Sequence, residues 1–402
     1  MNLTLEALKK GKQKCVDISG LEAAMSINER NEIHESIISL QSSFDQCIQV
    51  IGKIEEVRSS LEKFGYTDEW YDTVFATSGL ENLVEFDIPK LTTYGVKGEA
   101  CMEGFVDTVK TWILKAWNFI KAAIEKIYRF IVWLAKKVGL DTTRKCENLE
   151  QAMKDVEHVV TGMTEDNLKD ATGIDIETFY EIEPIETQLN NVAELLNAIS
   201  DDKNKETVIA KVQASKEFTS AEAVRKIWIE CVKGALDSKR INYLTDLEKT
   251  GFMLKFQSNS NKMFHFFGKA TGKQFRQCKL AIDDMNEVQN TVAKVVEFGG
   301  RISALINLYD SIGQAIRSEE SELQKEIARL QSLGSGPTTT DDGGYYSLCH
   351  AKLIATSCQL EVIAAGMMYL SEVNNGPFNV NLEMAKRMLA VIKEAAAQKP
   401  QA

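Results

Sequence analysis

Residues 104–139 read GFVDTVKTWILKAWNFIKAAIEKIYRFIVWLAKKVG. Apolar side chains recur there at threes and fours: Val106, Val109, Ile113, Trp117, Ile120, Ile124, Ile127, Ile131, Leu134 and Val138. That spacing is the period of one helical face. At about 100° per residue, Phe105, Trp112, Ala116, Ala123 and Phe130 widen the stripe on one side and Tyr128 on the other. Lys115, Asn118, Lys121, Glu125, Arg129 and Lys136 fall opposite. With Lys110, Lys126 and Lys137, the segment holds seven basic residues against two acidic ones, a net +5 within a chain of net −11. Leu114, Val132 and Trp133 break the pattern by landing on or near the polar side. The longest uncharged run, Phe130 to Ala135, is far shorter than the roughly 20 apolar residues that cross a bilayer.

Two readings follow for this helix. In the first, the wide apolar stripe is packed in a bundle core and the lysines face water. In the second, the helix lies in a lipid boundary with Lys and Arg toward anionic headgroups. Trp suits such boundaries because its ring is apolar and its N–H wants a polar partner, and Val132 and Trp133 lean that way. A basic face also neutralises the phosphates of nucleic acid. The sequence does not separate those two anionic partners.

The rest of the chain sets the frame. At 402 residues it is long enough for two or three cores. Hydrophobic residues at 44% and charged residues at 26% fit a globular protein rather than a disordered one. Five Pro leave long helices uninterrupted. The eight Cys are scattered without a CxxC pair, which suits a reducing compartment better than a disulfide framework. The opening MNLTLEALKKGKQKC lacks the apolar core of a secretory signal, so manufacture in a cytoplasm is expected.

Helical periodicity appears nearly everywhere, and the expected class is mainly α: a multi-helix bundle with long amphipathic helices and no significant sheet. A stripe from Ile33 to Leu61 predicts a helix over 28–64 that ends at Gly65. Residues 66–103 read as irregular. After the basic helix, 147–160 and 185–199 are helical in period, with an acidic connection over 165–184. Ser220 with Glu222 marks a helix start. A long helix is expected over about 273–333, kinked or broken at Gly299-Gly300. Residues 334–347, GSGPTTTDDGGYYS, read as a loop. Helices at about 348–373 and 380–397 follow, parted by a turn at Asn374-Asn375-Gly376-Pro377. The chain thus divides into an acidic leader (1–103), the basic helix (104–140), a long-helix region (141–333) and a C-terminal helical pair (348–397).

Catalytic signals are weak, and the chain is not expected to be an enzyme or to hold a cofactor or metal. His34, His158, His265 and His350 show no HExxH or paired-ligand spacing. Cys349, His350 and Cys358 form the nearest approach to a cluster, but on a helix the two thiols fall on roughly opposite faces. Residues 268–273, GKATGK, resemble a phosphate loop only superficially, because the first Gly of the motif would be Phe267 and its Ser/Thr would be Gln274.

Residues 1–103 hold 18 acidic and ten basic side chains, net −8, ahead of the basic helix. Such a piece would mask the helix or keep it soluble. The junction GEACMEG at 98–104 has the small residues and glutamates of a segment that proteases cut. The acidic leader opening MNLTLEAL, this junction and the Trp-rich basic helix together resemble the inner-head (internal virion) proteins of phiKZ-type jumbo bacteriophages. The resemblance is strongest over about residues 1–140. It implies a helical structural protein packaged inside the capsid beside other virion proteins and the DNA. It further implies propeptide removal by a prohead protease, which cuts after a Glu two places beyond Ser, Ala or Gly, and ejection with the genome. Gly20-Leu21-Glu22 and Gly79-Leu80-Glu81 match that pattern. Cys101-Met102-Glu103, before Gly104, sits at the expected place with Cys where a Ser, Ala or Gly belongs. A membrane-active or pore-forming helical protein and a plain helical scaffold are the alternative readings.

Overall fold

In a computed structural model of the chain, the structure describes residues 27–65, 67–75, 78, 97–214, 227, 230, 275–332 and 340–398. The helix start expected at Ser220 and the 268–273 stretch lie outside them. The architecture is mainly α, as the periodicities predict.

Helix α1 (Ile27–Phe64) buries Phe44, Ile48, Ile51, Ile54, Val57 and Leu61, the stripe read from sequence. It stops where Gly65 takes a φ of +71° and returns its N–H to the Leu61 carbonyl at 2.8 Å. Thr67 caps a single turn, α2 (Asp68–Trp70), and the Trp70 indole donates back to Ser60 Oγ at 3.1 Å. Part of the 66–103 stretch is therefore ordered. Helix α3 (Lys97–Trp133) starts seven residues before the expected boundary at Gly104. It passes through a π-helical segment, Leu134–Gly139, into α4 (Leu140–Val160) with no intervening loop.

The acidic stretch 165–184 is more than a connection. It contains α5 (Glu165–Thr172), capped by Thr164, and strand β1 (Ile174–Tyr180). Helices α6 (Ile182–Ile199) and α7 (Asp202–Ala214) follow. Strand β2 (Gln277–Ile282) pairs antiparallel with β1, Ile174 opposite Ile282, with an irregularity between Ile176 and Phe179. This two-stranded sheet was not expected. Its buried residues, Ile176, Phe179 and Ile282, are of the β-branched and aromatic types that favour strands.

Helix α8 (Met285–Ser332) is unbroken for 48 residues, so Gly299-Gly300 does not end it. Gly299 instead admits a neighbour: an added Cβ would overlap Cys146 Sγ and lie 2.9 Å from the Phe378 ring. The expected loop at 334–347 gives way to helix from Thr340, because α9 runs Thr340–Val373. The expected turn at 374–377 is also helical. A π segment, Asn374–Phe378, leads into α10 (Asn379–Gln398) with Pro377 inside it. Proline supplies no N–H, and widening the turn absorbs the missing bond without stopping the chain. The C-terminal pair is thus one interrupted rod, not a hairpin.

Helix α8 packs against α3, α4, α6 and α9, and α10 closes on α4, α5 and β1. One contiguous core results, so the boundaries drawn at 103, 140 and 333 do not separate independent units among the described residues. Polar locks cross it. Buried Thr142 donates to Asn374 at 3.0 Å, and Arg301 of α8 reaches Glu186 of α6 at 2.9 Å. Lys205 of α7 pairs with Glu319 of α8, both side chains mostly buried.

On α1, burial pushes the Glu55 carboxyl above its ordinary value of 4.5, against the pull of Arg58 at 2.8 Å. A carboxyl raised on folding contributes stability that is fully present below pH 4.5 and lost as pH rises through the raised value. Relative to Glu55→Gln, the native protein is therefore expected to be most stable near pH 4 and to lose that lead toward pH 7. Urea midpoints of both proteins across that range check it.

Candidate functional site: the basic helix and its acidic cover

Helix α3 places the residues singled out from sequence as follows. Ile113, Trp117, Ile120, Ile124, Ile127, Phe130, Ile131 and Leu134 are all buried. Trp112 is half-buried, and its ring carries the Lys115 ammonium 4.5 Å from its centroid. The side chains of Glu103 and Phe105 lie outside the described residues. Lys121, Arg129 and Lys137 are exposed, whereas Lys110, Lys115, Lys126 and Lys136 are half-buried. Arg129 already pairs with Glu125 at 2.7 Å. The anionic-partner face is therefore a partial one, with exposed cations spread over four to five turns.

The apolar face is core. Trp133, whose position favoured a lipid boundary, is only 6% exposed and rests on Phe130 at 5.6 Å between ring centroids. Phe130 stands one turn before it and extends the stripe far enough to include it. Further along, Arg317 of α8 lies 3.4 Å over the Tyr128 ring, and Ile131 occupies the notch at Gly313. In this fold the apolar stripe of α3 has protein on it, as the first of the two readings expects.

Much of that protein is the acidic leader. Helix α1 makes with α3 the most extensive helix–helix contact among the described residues. Its buried stripe runs from Phe44 to Leu61. The leader is thus a packing partner of the basic helix, not an appendage.

Candidate cleavage sites fall in different settings. Glu103 and Gly104 lie within the first turns of α3, where an irregular segment was expected. A protease has to unwind those turns to reach the bond, so the site is less open than a loop tip. Glu81 and Glu22 lie outside the described residues.

One apolar element escaped the sequence reading. The stretch Leu348–Gln398 contains an 18-residue window of mean hydropathy 1.4, long and apolar enough to cross a membrane, and that window is buried in the fold. A helix of this kind is either a core element or a span. Among the described residues, no cluster of His, Cys, Asp and Glu has the grouping of a metal site. Cys349 and His350 are buried in α9.

The Cys47 and Cys146 thiols are not activated. Burial pushes Cys47 up to about 11 and Cys146 up to about 12, aided at Cys146 by Glu150 and Glu147. Only thiolate reacts, so both are expected to resist iodoacetamide at pH 8 in the folded protein and to label rapidly in urea. Peptide mapping of the labelled sites reads this directly.

No family model, curated protein or solved structure matches this chain. Function therefore has to be argued from the helix and its cover.

Proposed function

We propose that this chain is a structural protein of a phage particle, non-enzymatic and carried inside the capsid, whose acidic leader is cut away by the particle's protease. The observation that carries the reading is the packing of α1, which belongs wholly to the leader, along α3. A leader so placed keeps a wide apolar stripe out of water and sets net −8 beside a +5 segment. Cleavage would leave the leader held on α3 by packing alone, so that its later displacement changes which surface the basic helix offers to DNA or to other virion proteins. Mass spectrometry of purified particles should find an N-terminus at Gly104. Full-length chain in mature particles would sink the proposal.

The packing adds a consequence for timing. Burying some seven apolar side chains of α1 contributes on the order of 10 kcal/mol before ordering costs. Cutting the chain after Glu103 leaves those contacts intact. The leader fragment is therefore expected to co-elute with the rest of the chain on size exclusion and to separate only in denaturant.

A membrane-active role is the second reading, resting on the apolar stripe of α3 that displacement of the leader would uncover. It predicts that the cleaved protein, freed of its leader, releases dye from anionic vesicles and that added salt weakens the effect. Equal inactivity of cleaved and full-length protein would remove it.

A further inference from the structure

Two long rods cross the molecule in the same unusual way. Helix α3 passes through Leu134–Gly139 into α4, and α9 passes through Asn374–Phe378 into α10, each by π turns. A π turn inside an α-helix is rare, is a cause of bending and recurs at functional sites.

Both rods run along α8, and their contacts fix the levels. On the first, Ile131 stands at Gly313, Gly139 beside Ile306 and Cys146 at Gly299. On the second, Gly366 faces Tyr309 and Phe378 stands at Gly299. From Ile306 to Gly299 is about 10 Å of helix, so the two π segments lie close together. They are also tied. Thr142, just past the first segment, donates to Asn374, which opens the second, at 3.0 Å. One turn on, Lys145 donates to Asn379 at 3.0 Å.

Packing changes partners at this level. Before it, α3 and α9 pack on each other and, between them, on α1, α6 and α7. Beyond it, α4 and α10 pack on each other and, between them, on α5 and β1. Helix α8 runs through both groups. A bend in one rod alone would tear α4 from α10, whereas a bend in both at once keeps that pair whole.

We infer that the two π segments form one paired hinge, about which α4 and α10 swing together against α8. The bonds from Thr142 to Asn374 and from Lys145 to Asn379 make the two bends a single event. Gly139 and Gly376 supply the backbone freedom. The hinge does not depend on leader removal, so the particle experiment and this one fail separately.

Alanine fits the closed state at both glycines, which makes the hinge testable without unfolding the protein. Neither glycine has a positive φ. An added Cβ at Gly139 would meet Ile306 at 3.5 Å, ordinary contact, and at Gly376 it would meet nothing within 4 Å. Each substitution therefore restricts only the other conformations that bending needs. Hydrogen exchange of the full-length protein, read by mass spectrometry, supplies the measurement. Amides of 134–139 and 374–378 should be less protected than those in the buried middle of α8, which report global opening. Gly139→Ala should slow exchange about two- to fivefold, relative to α8, in its own segment and equally at 374–378. Gly376→Ala should slow both segments likewise, because coupling between two sites is reciprocal. Slowing confined to the substituted segment would mean two independent bends and overturn the pairing. Protection of both segments equal to that of α8 would overturn the hinge itself.

Discussion

Gly366→Ala is expected to destabilise the protein by about 2–4 kcal/mol, although glycine-to-alanine changes inside helices ordinarily stabilise by about 1 kcal/mol. The sign is decided by what the new methyl meets. It would overlap the Tyr309 hydroxyl and stand 3.2 Å from Val192 Cγ1. Tyr309 is fully buried, so its ring has nowhere to swing. Tyr309→Phe removes the colliding atom and should restore much of the loss in the double variant, leaving the effects far from additive. Gly299→Ala should behave similarly, because Cys146 and two Phe378 carbons converge there. Gly52, in α1, has nothing within 4 Å of its added Cβ. Gly52→Ala is thus the control, and it should stabilise. Urea midpoints at constant m-value measure all of these, and a neutral Gly366→Ala would refute the account.

Asn381→Ala is expected to cost about 2–5 kcal/mol, because one buried side chain completes the edge of β1. Its Nδ2 donates to the Tyr180 carbonyl at 2.9 Å, and its Oδ1 accepts from the Tyr180 N–H at 2.7 Å. Asn381 is fully buried, so truncation leaves both backbone groups without water or partner. Each such orphan costs about 1–3 kcal/mol. Hydrogen exchange separates this from a general loss of packing: the Tyr180 amide should lose protection well before amides in the middle of α8. Protection at Tyr180 equal to the native level would contradict the assignment.

How much of this was legible in the sequence depended on how local the signal was. The stripes of α1 and α3 repeat over many turns, so period alone located both helices and their buried faces. Strands β1 and β2 are short, and their partners stand about 100 residues apart, which no local pattern encodes. Pro377 and the Asn-Asn-Gly run carry turn chemistry, yet packing of Asn374, Pro377 and Phe378 in the core holds them in a wound segment. Gly299-Gly300 looked like a hinge for the same reason. A glycine that admits a neighbouring thiol and a glycine that bends a helix are indistinguishable in one sequence.

For the candidate site, the basic and apolar residues of α3 and the acidic leader as their mask were legible in advance, but not that α1 covers the helix by packing on its apolar stripe. Trp133 was read as misplaced because an ideal straight stripe excluded it, whereas Phe130 one turn earlier carries the core around to meet it.

The hydrogen bond between Tyr180 and Asn381 spans 201 positions of the chain. Thr142 waits on Asn374 and Lys145 on Asn379 over still longer separations. A ribosome adding about 5–20 residues per second reaches Asn381 some 10–40 s after Tyr180 has left the peptidyl-transfer centre. Throughout that interval the middle of the chain has helices but no finished edge, and until α8 emerges the leader helix is the long partner α3 already has. Until α8 emerges, α1 is the long helix of the same molecule that can cover the apolar stripe of α3.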